Sequence, residues 1–142
     1  MHIRDFRIED YEAVTDLWAE AGLPFRPDGR DRRDRIAREL AGGQALFLVA
    51  VAGDRLVGVV LGTHDGRKGW INRLAVASDS RRQGVARALV EEVEARLQLL
   101  GIAIVACLIE GENESSQALF AELGYVRHPE IVYHAKRFVP DA

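Results

Sequence analysis

The stretch from Ala45 to Leu61 constrains this chain most. Ala45-Leu-Phe-Leu-Val-Ala-Val-Ala52 and Arg55-Leu-Val-Gly-Val-Val-Leu61 are nearly unbroken apolar runs, separated only by Gly53-Asp54. Two such runs around a tight polar turn predict a β-hairpin. Neither run alternates apolar with polar residues. A strand without alternation has both faces covered, so the hairpin needs helices above and below it. That demand excludes an all-helical bundle and an open one-layer sheet, and it predicts an α/β architecture.

The flanking sequence supplies the rest. Ile3 to Arg7 reads as a short opening strand. Tyr11, Val14, Leu17, Trp18 and Ala21 follow Glu9-Asp10 at helical spacing, and Gly22, Pro24 and Pro27 close that helix. A second helix is expected from about Asp31 to Leu40, stopped by Gly42-Gly43. After the hairpin, Asp65-Gly66 marks another turn and Trp70 to Val76 a third strand of an antiparallel meander. A long helix then opens at Arg81, with Leu89, Val90, Val93, Leu97 and Leu100 as its apolar stripe. Ile102 to Ile109 predicts a strand, Ser115 to Leu123 a short helix ended by Gly124, and Ile131 to Val139 a closing strand. With no repeat or linker, residues 1–142 are expected to form a single domain.

Charge and cysteine content narrow the function. Nineteen basic against 22 acidic residues give a net charge of −3, which argues against nucleic acid as a partner. One cysteine, Cys107, excludes an internal disulfide and a cysteine-rich zinc site, and no metal is expected. No apolar run is long enough for a membrane span and the N-terminus has no signal-peptide core, so a cytoplasmic location is expected.

The segment that carries chemistry is Arg81-Arg-Gln-Gly-Val-Ala-Arg87. It lies between a strand and a long helix. A helix N-terminus offers free backbone N–H groups and a partial positive charge, and a glycine lets an anion come close. Arg81, Arg82 and Arg87 add charged donors suited to phosphate. The segment is neither a Walker A loop nor a Rossmann fingerprint. On these grounds alone it is either an anion site or a solvated basic helix start.

Leu74-Ala-Val76 followed by Arg82-Gln-Gly-Val-Ala-Arg87 resembles motif A of the GNAT N-acetyltransferases, whose Gln/Arg-x-x-Gly-x-Gly/Ala pattern is met by Arg81, Gly84 and Ala86. Asn113-Glu-Ser-Ser-Gln-Ala-Leu-Phe-Ala-Glu-Leu-Gly-Tyr125 resembles the family's Asn-x-x-Ala-x-x-Leu-Tyr-x-x-Leu-Gly-Phe stretch, and the order of elements agrees over nearly the whole chain. The resemblance implies a mixed, mostly antiparallel sheet flanked by helices, with a splayed strand pair that admits the cofactor. It implies acetyl-CoA as co-substrate and an amine as acceptor. Pantetheine would bond to the backbone of Leu74, Ala75 and Val76. The pyrophosphate would rest on the N–H groups of Arg82, Gln83, Gly84, Val85, Ala86 and Arg87, with Arg81 beside it, and Asn113 would touch the pantetheine arm. The resemblance also allows a homodimer.

Two positions depart from the family. Phe120 stands where many members carry a tyrosine acid. Leu108 stands where ribosomal-protein N-terminal acetyltransferases carry a base glutamate. Glu110, two residues on and so on the same strand face, is the candidate base. Trp70 and Asn72 are candidates for the acceptor side. The alternative to an enzyme is a non-catalytic acyl-CoA-binding regulatory domain.

Overall fold

The computed structural model describes all of residues 1–142. The hairpin forms as β2 (Ala45–Ala52) and β3 (Arg55–His64), turning at Gly53-Asp54. The N-terminal strand β1 (His2–Asp5) pairs antiparallel with β2, and β4 (Gly69–Val76) pairs antiparallel with β3. The last strand, β5 (Val105–Cys107), runs parallel to β4. The strands lie in sequence order in one five-stranded sheet, so the expected mixed, mostly antiparallel sheet is what forms.

Helices cover both faces, as the unbroken apolar runs require. Helix α1 (Tyr11–Glu20) follows a single 3₁₀ turn at Ile8–Asp10, and α2 is Arg33–Ala41. They cover one face, with Val14, Leu17, Trp18 and Ile36 turned inward. Helix α3 (Val85–Leu99) covers the other, burying Val85, Leu89, Val90, Val93 and Leu97. Its outer face is tied by the i,i+4 pairs Arg87–Glu91 and Glu92–Arg96. Gly58 and Gly62 of β3 let α3 sit this close: a Cβ there would fall 2.8 Å from Val85 Cγ1 and 2.9 Å from Val93 Cγ1. Burying each large apolar side chain of α3 contributes about 1.5–3 kcal/mol. Helix α4 (Glu114–Glu122) completes the chain's regular structure, with Phe120 buried on its inner face.

Three expectations need correction. The helix expected from Arg81 begins only at Val85, because Arg82 and Gly84 have φ of 62° and 80°, outside helical space. The strand expected over Ile102–Ile109 is only three residues long, since β4 offers it just Gly69, Trp70 and Ile71 as partners. The closing strand expected over Ile131–Val139 does not form. Ile131, Val132, Tyr133, Phe138 and Val139 are all exposed, and no strand pairing involves them. Their β-branched and aromatic composition suits a strand, but strand propensity is a fit to a half-buried surface, and this segment meets none. No helix is long and apolar enough to cross a membrane.

Candidate functional site

The site starts from a defect in strand pairing. Along β3 and β4, Val59 faces Ala75 but Leu61 faces Asn72, so Val60 stands opposite both Arg73 and Leu74. This is a β-bulge, and Arg73 takes a φ of 54° within it. On its other edge β4 pairs with β5 only as far as Ile71 opposite Cys107. From Asn72 to Val76 that edge has no strand beside it. A wedge opens there, bounded by the backbone of Leu74, Ala75 and Val76. The side chain of Arg81 bends back toward this strand end, with Nε 3.4 Å from the Val76 carbonyl oxygen.

Beyond Val76 the chain turns through Ser78–Ser80 and enters α3. Two ties hold that turn. Arg55 donates both terminal nitrogens to Asp79 at 2.8 Å, and Glu20 at the end of α1 accepts the Ser78 backbone N–H at 2.9 Å. The backbone N–H groups of Arg82, Gln83, Gly84, Val85, Ala86 and Arg87 find no acceptor within the chain. No side chain caps α3, whose cap residue is Gly84. Its positive φ is costly for any other residue, and the space where a Cβ would project is empty. Six donors without an acceptor therefore gather at the positive end of a 15-residue helix. This cradle suits a pyrophosphate: fixed N–H groups, no side chain in the way, and Arg81, Arg82 and Arg87 near at hand.

With that geometry in place, the chain can be set beside known proteins. The sequence profile of the acetyltransferase (GNAT) family matches residues 11–125. This chain belongs to the GNAT acetyltransferase family. An acetyltransferase of Sodalis glossinidius is 33% identical over 141 residues, covering 99% of this chain and 98% of its own. Among solved structures, AAC(6')-Iy in complex with the bisubstrate analog CoA-S-monomethyl-acetylneamine superposes with a TM-score of 0.79 at 21% identity, over 96% of this chain and 97% of that one. The PaiA N-acetyltransferase of Thermoplasma acidophilum, in complex with coenzyme A, gives a TM-score of 0.73 at 19% identity, over 86% and 87%. Both structures share the GNAT fold with this chain, and acetyl-CoA is the acyl donor of the family.

The candidate cofactor residues thus fall into two groups that the fold brings end to end: the free edge at Leu74–Val76 and the cradle at Arg82–Arg87. Asn113 stands apart in role. Its Oδ1 accepts the Ser116 N–H at 3.1 Å and caps α4, leaving only its Nδ2 group for another partner. Glu110 lies past the end of β5, exposed, with its carboxylate free of partners. Phe120 is buried and stacks edge-to-face on Tyr125 at 4.9 Å. The Tyr125 hydroxyl donates to Glu94 Oε2 of α3 at 2.7 Å. Burial, then the bond to Glu94, raises the phenol above its ordinary range. Cys107, at the last β4–β5 pair, is pushed up to about 11 by burial, so its thiol stays protonated and inert.

One part of the site left no readable signal in the sequence. Asp31 lies in a run of mixed charge that suggests a solvated helix face, yet it is buried and paired with Arg73 at 2.8 Å. The family resemblance implies a bulge in the Trp70–Val76 strand, but its seat at Arg73 cannot be read from Trp70-Ile-Asn-Arg-Leu-Ala-Val76, which has no glycine. The Asn113 cap could have been found, since Asn directly before Glu-Ser-Ser is a helix-start signature.

Proposed function

We propose that this chain transfers an acetyl group from acetyl-CoA to a primary amine by direct attack. The observation that supports this most is the cradle of six unpartnered N–H groups at the start of α3, beside a strand edge left free by the bulge. Acetyl-CoA supplies an activated acyl group as a thioester. The backbone of Leu74, Ala75 and Val76 aligns the pantetheine arm as an added strand would be aligned. The N–H groups from Arg82 to Arg87, with the Arg81, Arg82 and Arg87 guanidiniums, hold the pyrophosphate. Asn113 Nδ2 is left to meet the arm from α4. A C–N bond forms as the C–S bond breaks, CoA leaves as thiolate, and the acylated nitrogen sheds its extra proton to water to become the amide. The amine must attack as the free base, so Glu110, directly or through water, takes the proton the ammonium gives up. Holding both reactants in line supplies most of the rate.

A second reading is a domain that binds acyl-CoA without turnover. One observation favours it: Phe120 has no hydroxyl, and the neighbouring Tyr125 hydroxyl is committed to Glu94. Titration calorimetry with acetyl-CoA, coupled to thiol release across a panel of amines, separates the two. Binding with amine-dependent thiol release supports the enzyme, and binding without release on any amine supports the regulatory domain. Gly84→Glu is the control. Its carboxylate would enter the cradle and repel the phosphates, so acetyl-CoA affinity should fall at least a hundredfold. Full affinity in that variant would sink the cradle as the cofactor site.

A further inference from the structure

The side of the bulge that faces α1 holds a polar network one acceptor short. Asp31 is 5% exposed. Its Oδ2 accepts the Arg26 backbone N–H at 2.6 Å and Arg73 Nη2 at 2.8 Å. The Arg73 guanidinium also lies over Trp18, 5.0 Å from the ring centroid. Yet Arg73 Nη1, Arg26 Nε and Trp18 Nε1 are all buried without any acceptor. Only the Arg73 guanidinium reaches the Asp31 carboxylate, and the Arg26 guanidinium has no carboxylate partner, so the cluster holds one unpaired cation.

Buried donors are nearly always satisfied in native proteins, and three orphans on the residues of this network call for a missing partner. A water molecule could accept these N–H groups but could not balance the charge. The setting is also cationic beyond the cluster. Residues 26 to 38 hold six arginines against three aspartates on a chain whose net charge is −3. Arg30, Arg35 and Arg38, with Glu39, line a recess of about 430 Å³ that includes no hydrophobic residue. Such a surface draws anions. Arg73 keeps 12% of its side chain exposed but its Nη1 is covered, so an anion reaches the network only as the guanidinium turns outward. It also directly precedes Leu74, where the proposed pantetheine edge begins.

We propose that the amine accepted by this chain carries an anionic group, a carboxylate or a phosphate, and that Arg73 and Arg26 bind it. The anion takes the free N–H groups of both arginines and balances the odd charge. The amine is thereby presented to the thioester beside the bulge. This rests on the acetyl-CoA reading above and adds the class of acceptor.

Matched amines test it. β-Alanine and O-phosphoethanolamine are compared with ethylamine and ethanolamine in wild type, Arg73→Gln and Arg73→Lys, with acetyl-CoA affinity measured separately by calorimetry. In wild type the anionic member of a pair is expected to have at least tenfold higher kcat/KM, mainly through KM. Arg73→Gln should bring that ratio near one while acetyl-CoA affinity holds, and Arg73→Lys should keep part of it. The carboxylate and phosphate arms show which anion is read. Arg26→Gln, which leaves the backbone bond to Asp31 in place, gives the same answer should Arg73→Gln not fold. A readout without acetyl-CoA accompanies these: the anionic amines should raise the Tm of wild type and not of Arg73→Gln. Equal turnover of charged and neutral members by wild type overturns the proposal, as does a preference that survives both substitutions. Loss of acetyl-CoA binding by wild type would instead overturn the cofactor reading, and the Tm comparison would still decide the anion site.

Discussion

The two edges of β4 have opposite fates. Toward β3 it is paired from Gly69 to Val76, interrupted only by the bulge, and backed by α3. Toward β5 it keeps three pairs and then stands free. The first edge belongs to the half that buries Leu48, Val49, Val59, Val60, Leu89 and Val93 completely. The second borders a half in which Ile104, Leu108, Val126 and the residues 131 to 139 leave large apolar side chains exposed. The difference separates two tasks. Stability is concentrated where every backbone group has a partner. Binding capacity is concentrated where the outer edge at Leu74–Val76 has no strand beside it and the N–H groups of Arg82–Arg87 have no acceptor. One strand serves both because the bulge at Arg73 breaks its register once, between the two.

The comparison can be broken first on stability. Leu89 is 0% exposed under β3, and Leu108 is 61% exposed past β5. Leu89→Ala should cost about 2–5 kcal/mol, the range for truncating a core leucine. Leu108→Ala should cost under about 0.5 kcal/mol, as exposed substitutions do. Urea unfolding with a shared slope checks both. Equal losses would mean that the open half is covered in solution by something that buries Leu108.

What could be read from the sequence divides along the same line. The hairpin and the α3 stripe were legible, because each depends on local pattern: unbroken apolar runs and i,i+4 spacing. The meander of β2, β3 and β4 and its covered faces followed from them, while the glycine and arginines before α3 pointed to a phosphate cradle only through the family resemblance. The Asp31–Arg73 pair was not legible, because it joins residues 42 apart through a bulge that no residue type announces. The segment Ile131–Val139 shows the reverse error. It has the composition of a strand but no edge to join, and composition says nothing about partners. The start of α3 was misplaced by four residues for a related reason. Arg82 adopts a left-handed conformation that an arginine does not advertise.

A smaller effect is expected at Glu110, on the open half. If its carboxylate takes the amine proton, Glu110→Gln should lower kcat/KM roughly 10- to 100-fold below the pKa of the acceptor amine, within the reach of general base catalysis. Above that pKa the amine is already a free base, and the defect should shrink toward none. Acetyl-CoA affinity should not change at any pH. A defect that is constant across the profile would assign Glu110 to binding, and a full defect with weakened acetyl-CoA would assign it to the wedge itself.

The smallest effect concerns Tyr125, which spans the two halves by reaching from the end of α4 to Glu94 of α3. The proton of its hydroxyl is held by that carboxylate at 2.7 Å. Burial and Glu94 both raise the phenol, so it gives up its proton less readily than an ordinary tyrosine. A departing CoA thiolate is a weak base by comparison, near the thiol value of about 8.5. Proton transfer from Tyr125 to that thiolate therefore runs uphill, and the thiolate can leave as an anion or take a proton from water. Tyr125→Phe should keep both kcat and acetyl-CoA affinity. Its cost should appear in folding, at about 1 kcal/mol for one hydrogen bond to a half-buried carboxylate that water can then reach. Loss of turnover with acetyl-CoA affinity intact would show that Tyr125 releases Glu94 during the reaction and acts as the acid that Phe120 cannot be.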